Sequence, residues 1–239
     1  MLLEVCVDDA LGLAEAVAGG ADRVELCTAL GHGGLTPSVG LMQQAAGCGL
    51  PCYPMIRPRP GEFVFAPAEV AVMCADIRAA RDIGLTGVVL GASRPDGRLD
   101  AEVLATLIAA ASGLDLTLHR AIDLTPDVEE AVDVAVRLGF RRVLSSGGAR
   151  VADQGVARLA RMIVVAQGRL SVMPGSGVSP QTWPRLMGLA VSEVHASCAA
   201  AVPVADLAVD GNARAFGFVS GTQKRTARHL VAALKAAIG

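Results

Sequence analysis

Lysine is nearly missing from this 239-residue chain: Lys224 and Lys235 are the only two, both read here as part of the last helical region. A Schiff-base mechanism needs a lysine amine at the reacting centre, so that chemistry is not expected. Aromatic residues are also scarce, with one Trp, one Tyr and five Phe, and the formal net charge is −2. Nucleic-acid surfaces use a basic stripe or stacking rings, so no nucleic-acid partner is expected. A long hydrophobic run is missing too. Although 52% of the residues are hydrophobic, the uncharged stretch 39–56 holds Gln43, Gln44, Pro51 and Pro54. It reads as a helix, a turn and a strand rather than a membrane span. Met1-Leu2-Leu3 runs straight into Glu4 and Asp8, so no secretory signal is expected. The six cysteines (6, 27, 48, 52, 74 and 198) follow no small-scaffold spacing, so reduced thiols in a cytoplasmic protein are expected. After the first strand comes Asp8-Asp9-Ala10-Leu11, without clustered glycine. The dinucleotide fingerprint is therefore absent, and no nucleotide cofactor is expected.

What the chain does carry is a repeated triplet. Glu4-Val5-Cys6, Glu25-Leu26-Cys27 and Glu193-Val194-His195 each place an acid two residues from a thiol or imidazole. Residues i and i+2 of a strand share a face, so each triplet sends both polar groups one way and an apolar residue the other. A buried carboxylate must be paired or coordinated. Three such strands side by side would outline a site.

Punctuation along the chain suggests that they are side by side. Gly20, Gly49, Gly84, Gly113, Gly139, Gly168 and Gly188 each end a helix-like stretch, where a left-handed residue is wanted. Short apolar runs follow at 24–26, 52–56, 88–90, 114–118, 143–144, 170–173 and 191–194, and another opens the chain at 2–7. Helix starts are read at Thr36-Pro37, Ala66-Pro67, Thr125-Pro126 and Ser179-Pro180, since Pro suits the first helical turn. Helical stretches such as 128–138 and 155–166 lie between the marks. Eight strand–helix units, roughly 20–35 residues apart, predict a single-domain (β/α)8 TIM-like barrel over 1–239 rather than an open doubly wound sheet. Closure of the barrel sets strand 8 beside strand 1 and strand 1 beside strand 2.

Barrel chemistry gathers at the carboxyl ends of the strands. Polar segments cluster there: Gly31-His32-Gly33-Gly34 after strand 2, Arg57-Pro58-Arg59 after strand 3, His119-Arg120-Ala121-Ile122-Asp123 after strand 5, Ser145-Ser146-Gly147-Gly148 after strand 6 and Gly175-Ser176-Gly177 after strand 7. The last two predict an anion cradle of Ser146, Gly147, Gly175, Ser176 and Gly177, helped by the positive end of a helix from Ser179-Pro180. Tight turns are the alternative use of these glycines. Arg57, Arg59 and Arg120 are expected to pair with Glu4, Glu25 and Glu193, either as a salt-bridge network over the barrel top or as clamps for an anionic substrate. In the second case His119 and His195 become proton carriers, and Asp123 joins the candidate catalytic set.

In order along the chain, Gly20-Ala21-Asp22-Arg23-Val24-Glu25-Leu26-Cys27, Gly33-Gly34-Leu35-Thr36-Pro37-Ser38, Arg57-Pro58-Arg59-x-Gly61-Glu62-Phe63, His119-Arg120-Ala121-Ile122-Asp123, Val143-Leu144-Ser145-Ser146-Gly147 and Glu193-Val194-His195 resemble the CutC family. The resemblance implies a cytoplasmic, self-associating TIM-like barrel with a role in copper homeostasis. It also implies Cu(I) bound through Cys6 and Cys27. Glu62 and Ile122 stand where the family often has Asp and Phe, and the segment 199–221 is shorter and more apolar than the acidic insert of some members. Read from the residues alone, soft Cu(I) suits the two thiolates, while a divalent ion on Glu4, Glu25 and a histidine is equally reasonable chemistry. The same thiols can also be plain buried hydrophobes. Two functions therefore stay open: a copper-binding homeostasis protein, or an enzyme or sensor for a small anionic metabolite, phosphorylated or not.

Overall fold

The computed structural model describes residues 1–202, 212, 215, 216 and 223–239. Eight parallel strands line the barrel: β1 (Leu2–Val7), β2 (Arg23–Leu26), β3 (Cys52–Pro54), β4 (Gly87–Leu90), β5 (Asp115–Leu118), β6 (Arg142–Ser145), β7 (Ser171–Pro174) and β8 (Glu193–Ala196). They form two four-stranded ladders, β3-β2-β1-β8 and β4-β5-β6-β7. One seam is bridged by Met55 and Val89, where the Ile56 N–H donates to the Val89 carbonyl at 2.7 Å. At the other, β7 meets β8 through side chains, with Ser171 and Ser192 hydroxyls 3.5 Å apart. The predicted (β/α)8 architecture is the observed one.

Helices pack outside: α1 (Ala10–Ala18), α2 (Val39–Ala46), α3 (Pro67–Ile83), α4 (Ala101–Ala110), α5 (Val128–Arg137), α6 (Val156–Ala166) and α7 (Arg228–Ile238). Their starts are capped locally. Asp9, Ser38, Asp100 and Asp127 each accept a backbone N–H of the first turn, satisfying donors that would otherwise be orphaned. Pro67 opens α3. Six of the seven predicted helix-ending glycines (20, 49, 84, 113, 139 and 168) have positive φ. Among the described residues no helix is long and apolar enough to cross a membrane.

Three expectations are corrected. No α-helix starts at Ser179-Pro180; the connection holds only a 3-10 turn at Trp183–Arg185. Pro184 lacks an N–H, and its ring clashes with a helical carbonyl four residues back. Strand β8 lies at Glu193–Ala196, two residues later than the apolar run, because its pairing with β1 begins where Leu2 N–H reaches Ser192 O at 3.0 Å. Lys224 lies on β10 (Gln223–Thr226), which pairs antiparallel with β9 (Ala199–Val202), rather than on a helix. Neither lysine is on a barrel strand. Beyond β9, most of the segment 199–221 lies outside the described residues.

Alternation along the strands sorts the interior from the core. Leu3, Val5, Val7, Val24, Leu26, Val88, Leu90, Val143 and Val194 face outward into one cluster with Leu13, Met42, Ile77, Leu104, Leu159 and Leu234 of the helices. Burying each such side chain stabilises by roughly 1.5–3 kcal/mol, so the fold's main hydrophobic drive sits outside the barrel. Inside, the apolar content shrinks to a small patch of Cys27, Tyr53, Met55 and Val89. Leu144 and Met173 also face the lumen, and the remaining side chains described there are largely polar.

Candidate functional site

The predicted adjacency of the triplets is what the ladders show. Glu4 stands opposite Arg23 on β2 and His195 on β8, and Cys6 stands opposite Glu25. Their polar side chains separate into two levels along the barrel axis.

The lower level is an ion-pair network. Arg23 donates Nε to Glu4 and Nη2 to Glu193, with Met173 Sδ 3.2 Å from the same Nη2. Arg142 Nε lies 3.3 Å from Glu193, and its Nη1 donates to Thr117 at 2.9 Å. Tyr53 sits between the two arginines, with their Cζ atoms 5.3 and 5.1 Å from its ring centre, and its hydroxyl donates to Asp115 at 3.0 Å. Burial alone would raise Glu193, but Arg23, Ser171 and Arg142 outweigh it and hold the carboxyl below its ordinary range. At Glu4 burial wins over Arg23 and pushes the pKa up.

The upper level opens into the mouth. Glu25 Oε2 lies 2.9 Å from His195 Nε2. Cys6, Glu25 and His195, all buried, each offer a ligand atom within 4.8 Å of the others. Burial opposes charge on His195, yet Glu25 and Cys6 outweigh it and hold the imidazole pKa well above its usual value. Burial pushes the Cys6 thiol up. Above this cluster is a cavity of about 290 Å³ lined by Cys6, Glu25, Arg57, Phe63, His119 and His195, among others. His119 rests there on Gly91, where a Cβ would come within 2.5 Å of the ring. Burial and Arg57 lower its pKa to about 4, leaving a neutral imidazole.

The arginine pairing expected from sequence is overturned. Glu4 and Glu193 pair with Arg23 and Arg142, and Glu25 pairs with His195. Arg57 instead donates to the carbonyls of His32, Gly34 and Gly61. Arg59 binds Glu62 and Glu69 away from the lumen, and Arg120 binds Asp123 at 2.8 Å. The strand-end arginines sit on loops above the acids, with Arg57 and Arg120 lining the mouth, whereas Arg23 and Arg142 lie on strands and reach the acids inside the lumen. The i,i+2 rule that linked Glu25 to Cys27 also places Arg23 on that inner face; the signal was available.

The anion cradle is also reassigned. Asp123 fills the turn after β6, accepting from Ser145 Oγ at 2.5 Å, Ser146 N–H at 3.1 Å and Gly148 N–H at 3.0 Å. Burial would raise this carboxyl, but those bonds and Arg120 hold it below its usual value. Ser146 and Gly147 are therefore already committed, the latter through its N–H to Ser145 Oγ at 2.8 Å. Gly175 serves a different purpose: a Cβ there would come within 2.3 Å of Leu144 and 3.1 Å of His195. Its bare backbone makes room for the imidazole. Ser176 and Gly177 do reach the cavity.

The CutC family profile matches residues 1–200. The chain belongs to the CutC family. A CutC family protein of Sinorhizobium medicae is 52% identical over 100% of this chain and 96% of its own. The human copper homeostasis protein cutC homolog is 42% identical over 82% of this chain and 72% of its own. A crystal structure of CutC from Streptococcus agalactiae superposes with a TM-score of 0.79 at 30% identity, covering 82% of this chain and 98% of that one. Family membership thus links the chain to copper homeostasis. It also directs attention to the metal-competent donors, and here Cys27 departs from expectation. Cys27 lies in the apolar patch with Tyr53, Met55 and Val89, outside the Cys6, Glu25 and His195 group. Burial raises the pKa of both thiols, so position rather than acidity sets Cys27 apart.

Proposed function

We propose that this CutC-type protein binds a copper ion at the floor of the barrel mouth through Cys6, Glu25 and His195. The observation that carries this reading is the convergence of one sulfur, one nitrogen and one oxygen donor from three adjacent strands within 4.8 Å. Glu25 Oε1 is also buried without a hydrogen-bond partner among the described residues, as expected of an atom that awaits a ligand. Thiolate and imidazole are ligands that copper accepts readily, and the carboxylate adds a place for its divalent state. Copper bound there would be held by rigid strands, with the cavity side open to exchange. All six cysteines are free thiols, which suits a reducing, cytoplasmic setting. The test is an anaerobic titration of the reduced protein with copper in a competing chelator. One equivalent should bind, and Cys6→Ser should abolish it while Cys27→Ser leaves it in place. Retention of full affinity in Cys6→Ser would refute the assignment.

A further inference from the structure

Three buried polar atoms without a partner among the described residues belong to the lining of one cavity: Glu25 Oε1, Arg57 Nε and His119 Nε2. Native proteins leave few such groups, and each asks for an explanation. Glu25 Oε1 has one in the metal site below. The other two do not.

Consider His119 first. Its Nδ1 accepts the Ala121 N–H at 3.2 Å. In a neutral imidazole one nitrogen accepts and the other carries the proton, so Nε2 is an N–H donor, buried and unanswered. Arg57 has five N–H groups. Three go to the carbonyls of His32, Gly34 and Gly61 at 2.9, 3.2 and 2.7 Å. The Nε–H and one Nη2 hydrogen remain. Those carbonyls are neutral, and no carboxylate among the described residues lies within ion-pair distance of Arg57. A nearly buried guanidinium, 6% exposed, thus faces the cavity with its charge uncompensated. Desolvating a cation costs several kcal/mol unless a counter-charge offsets it. Phe63 holds both donors in place, 4.9 Å from the Arg57 Cζ and 4.7 Å from the His119 ring, and gives the cavity an apolar wall.

We propose that the cavity is a binding site for a small molecule bearing one carboxylate or phosphate group, which is seated on Arg57 and His119. The guanidinium presents the planar donors that such anions match, and the imidazole N–H adds a second, neutral donor. A volume of about 290 Å³ sits at the lower edge of small-molecule sites, roughly 300–1,000 Å³, so the ligand is metabolite-sized. Arg59 and Arg120 take no part, since their carboxylate partners already neutralise them. The proposal stands on groups separate from Cys6 and His195 and holds whether or not copper binds there.

The test uses chelator-treated full-length protein, so that loss of metal binding cannot mimic its failure. Inorganic phosphate and acetate are titrated in separate calorimetric arms, with chloride at matched ionic strength as reference. Saturable one-to-one binding in one arm supports the proposal and names the anion class. His119→Asn keeps an acceptor for the Ala121 N–H but removes the Nε2 donor; it should weaken binding about tenfold, the equivalent of one hydrogen bond to a charged group. Arg57→Lys keeps the charge and loses the fork, and should weaken binding more than tenfold. If Arg57→Lys does not fold, His119→Asn decides alone. No saturable signal beyond chloride in either arm overturns the proposal, as does wild-type affinity in His119→Asn.

Discussion

The two levels of the barrel lumen are built from similar residue types and come to opposite ends. In the lower level Arg23 and Arg142 meet Glu4, Glu193, Asp115, Thr117 and Tyr53. In the upper level Arg57 meets only carbonyls, His119 keeps an unanswered N–H, and Cys6, Glu25 and His195 converge at one corner of a cavity. A paired network in a low-dielectric lumen holds its members in one arrangement. Glu4 Oε1 and Arg142 Nε also lack hydrogen-bond partners among the described residues, but Arg142 still faces Glu193 at 3.3 Å. What marks the upper level is a buried cation with no acid beside it, next to open volume. The difference separates structure from function inside a single barrel, although both levels carry buried charge.

Removing a member of the lower level should therefore cost stability above all. Arg23→Ala leaves Glu4 and Glu193 buried without their main partner, and breaking such pairs costs on the order of 3–5 kcal/mol. Urea denaturation should show that loss. A midpoint shift worth less than about 1 kcal/mol would mean that water enters the lower level and solvates the acids. The upper level should respond to pH instead. His119 has a folded pKa of about 4, below the ordinary value near 6.5. As pH falls from about 6.5, the unfolded chain takes up the proton first. Stability from this residue is thus fully present above about pH 6.5 and declines to about pH 4, by ~3 kcal/mol in all. The difference between wild type and His119→Asn across that window isolates the effect, and parallel curves would contradict a buried neutral imidazole. Cys6→Ser is the converse of Arg23→Ala: it should change stability by only about 1 kcal/mol while lowering copper affinity at least roughly hundredfold.

Much of this division could be read before the fold was seen. Strand alternation and barrel closure place Glu4, Glu25 and Glu193 on neighbouring strands, and Cys6 beside Glu25. What the chain does not display is distance across the lumen. His195 reaches Glu25 on β2, two strands away, past Glu4, which it faces in the ladder. That reach depends on strand stagger and on Gly175 leaving space, and neither shows in local spacing. The loop arginines misled because residue type alone cannot tell an arginine on a strand, level with the acids, from one on a loop above them. Asp123 is the mirror case. A carboxylate that fills a turn rich in N–H donors takes the place expected for an external anion, and only the folded loop reveals which one holds it.

The smallest expected effect sharpens the comparison most at the rim. Arg57 and Arg59 are two residues apart on one loop, and sequence treats them alike. In the fold Arg57 is buried with no acid, while Arg59 is partly exposed and bound to both Glu62 and Glu69. Exposed pairs of this kind are screened by water and salt and contribute little. Arg59→Gln should leave the urea midpoint, copper affinity and any anion affinity within error of wild type, in contrast to Arg57→Lys. If Arg59→Gln weakened anion binding as much as Arg57→Lys, the rim would have to be treated as a joint field of both cations. The distinction between a paired arginine and an uncompensated one would then fail where it is easiest to measure.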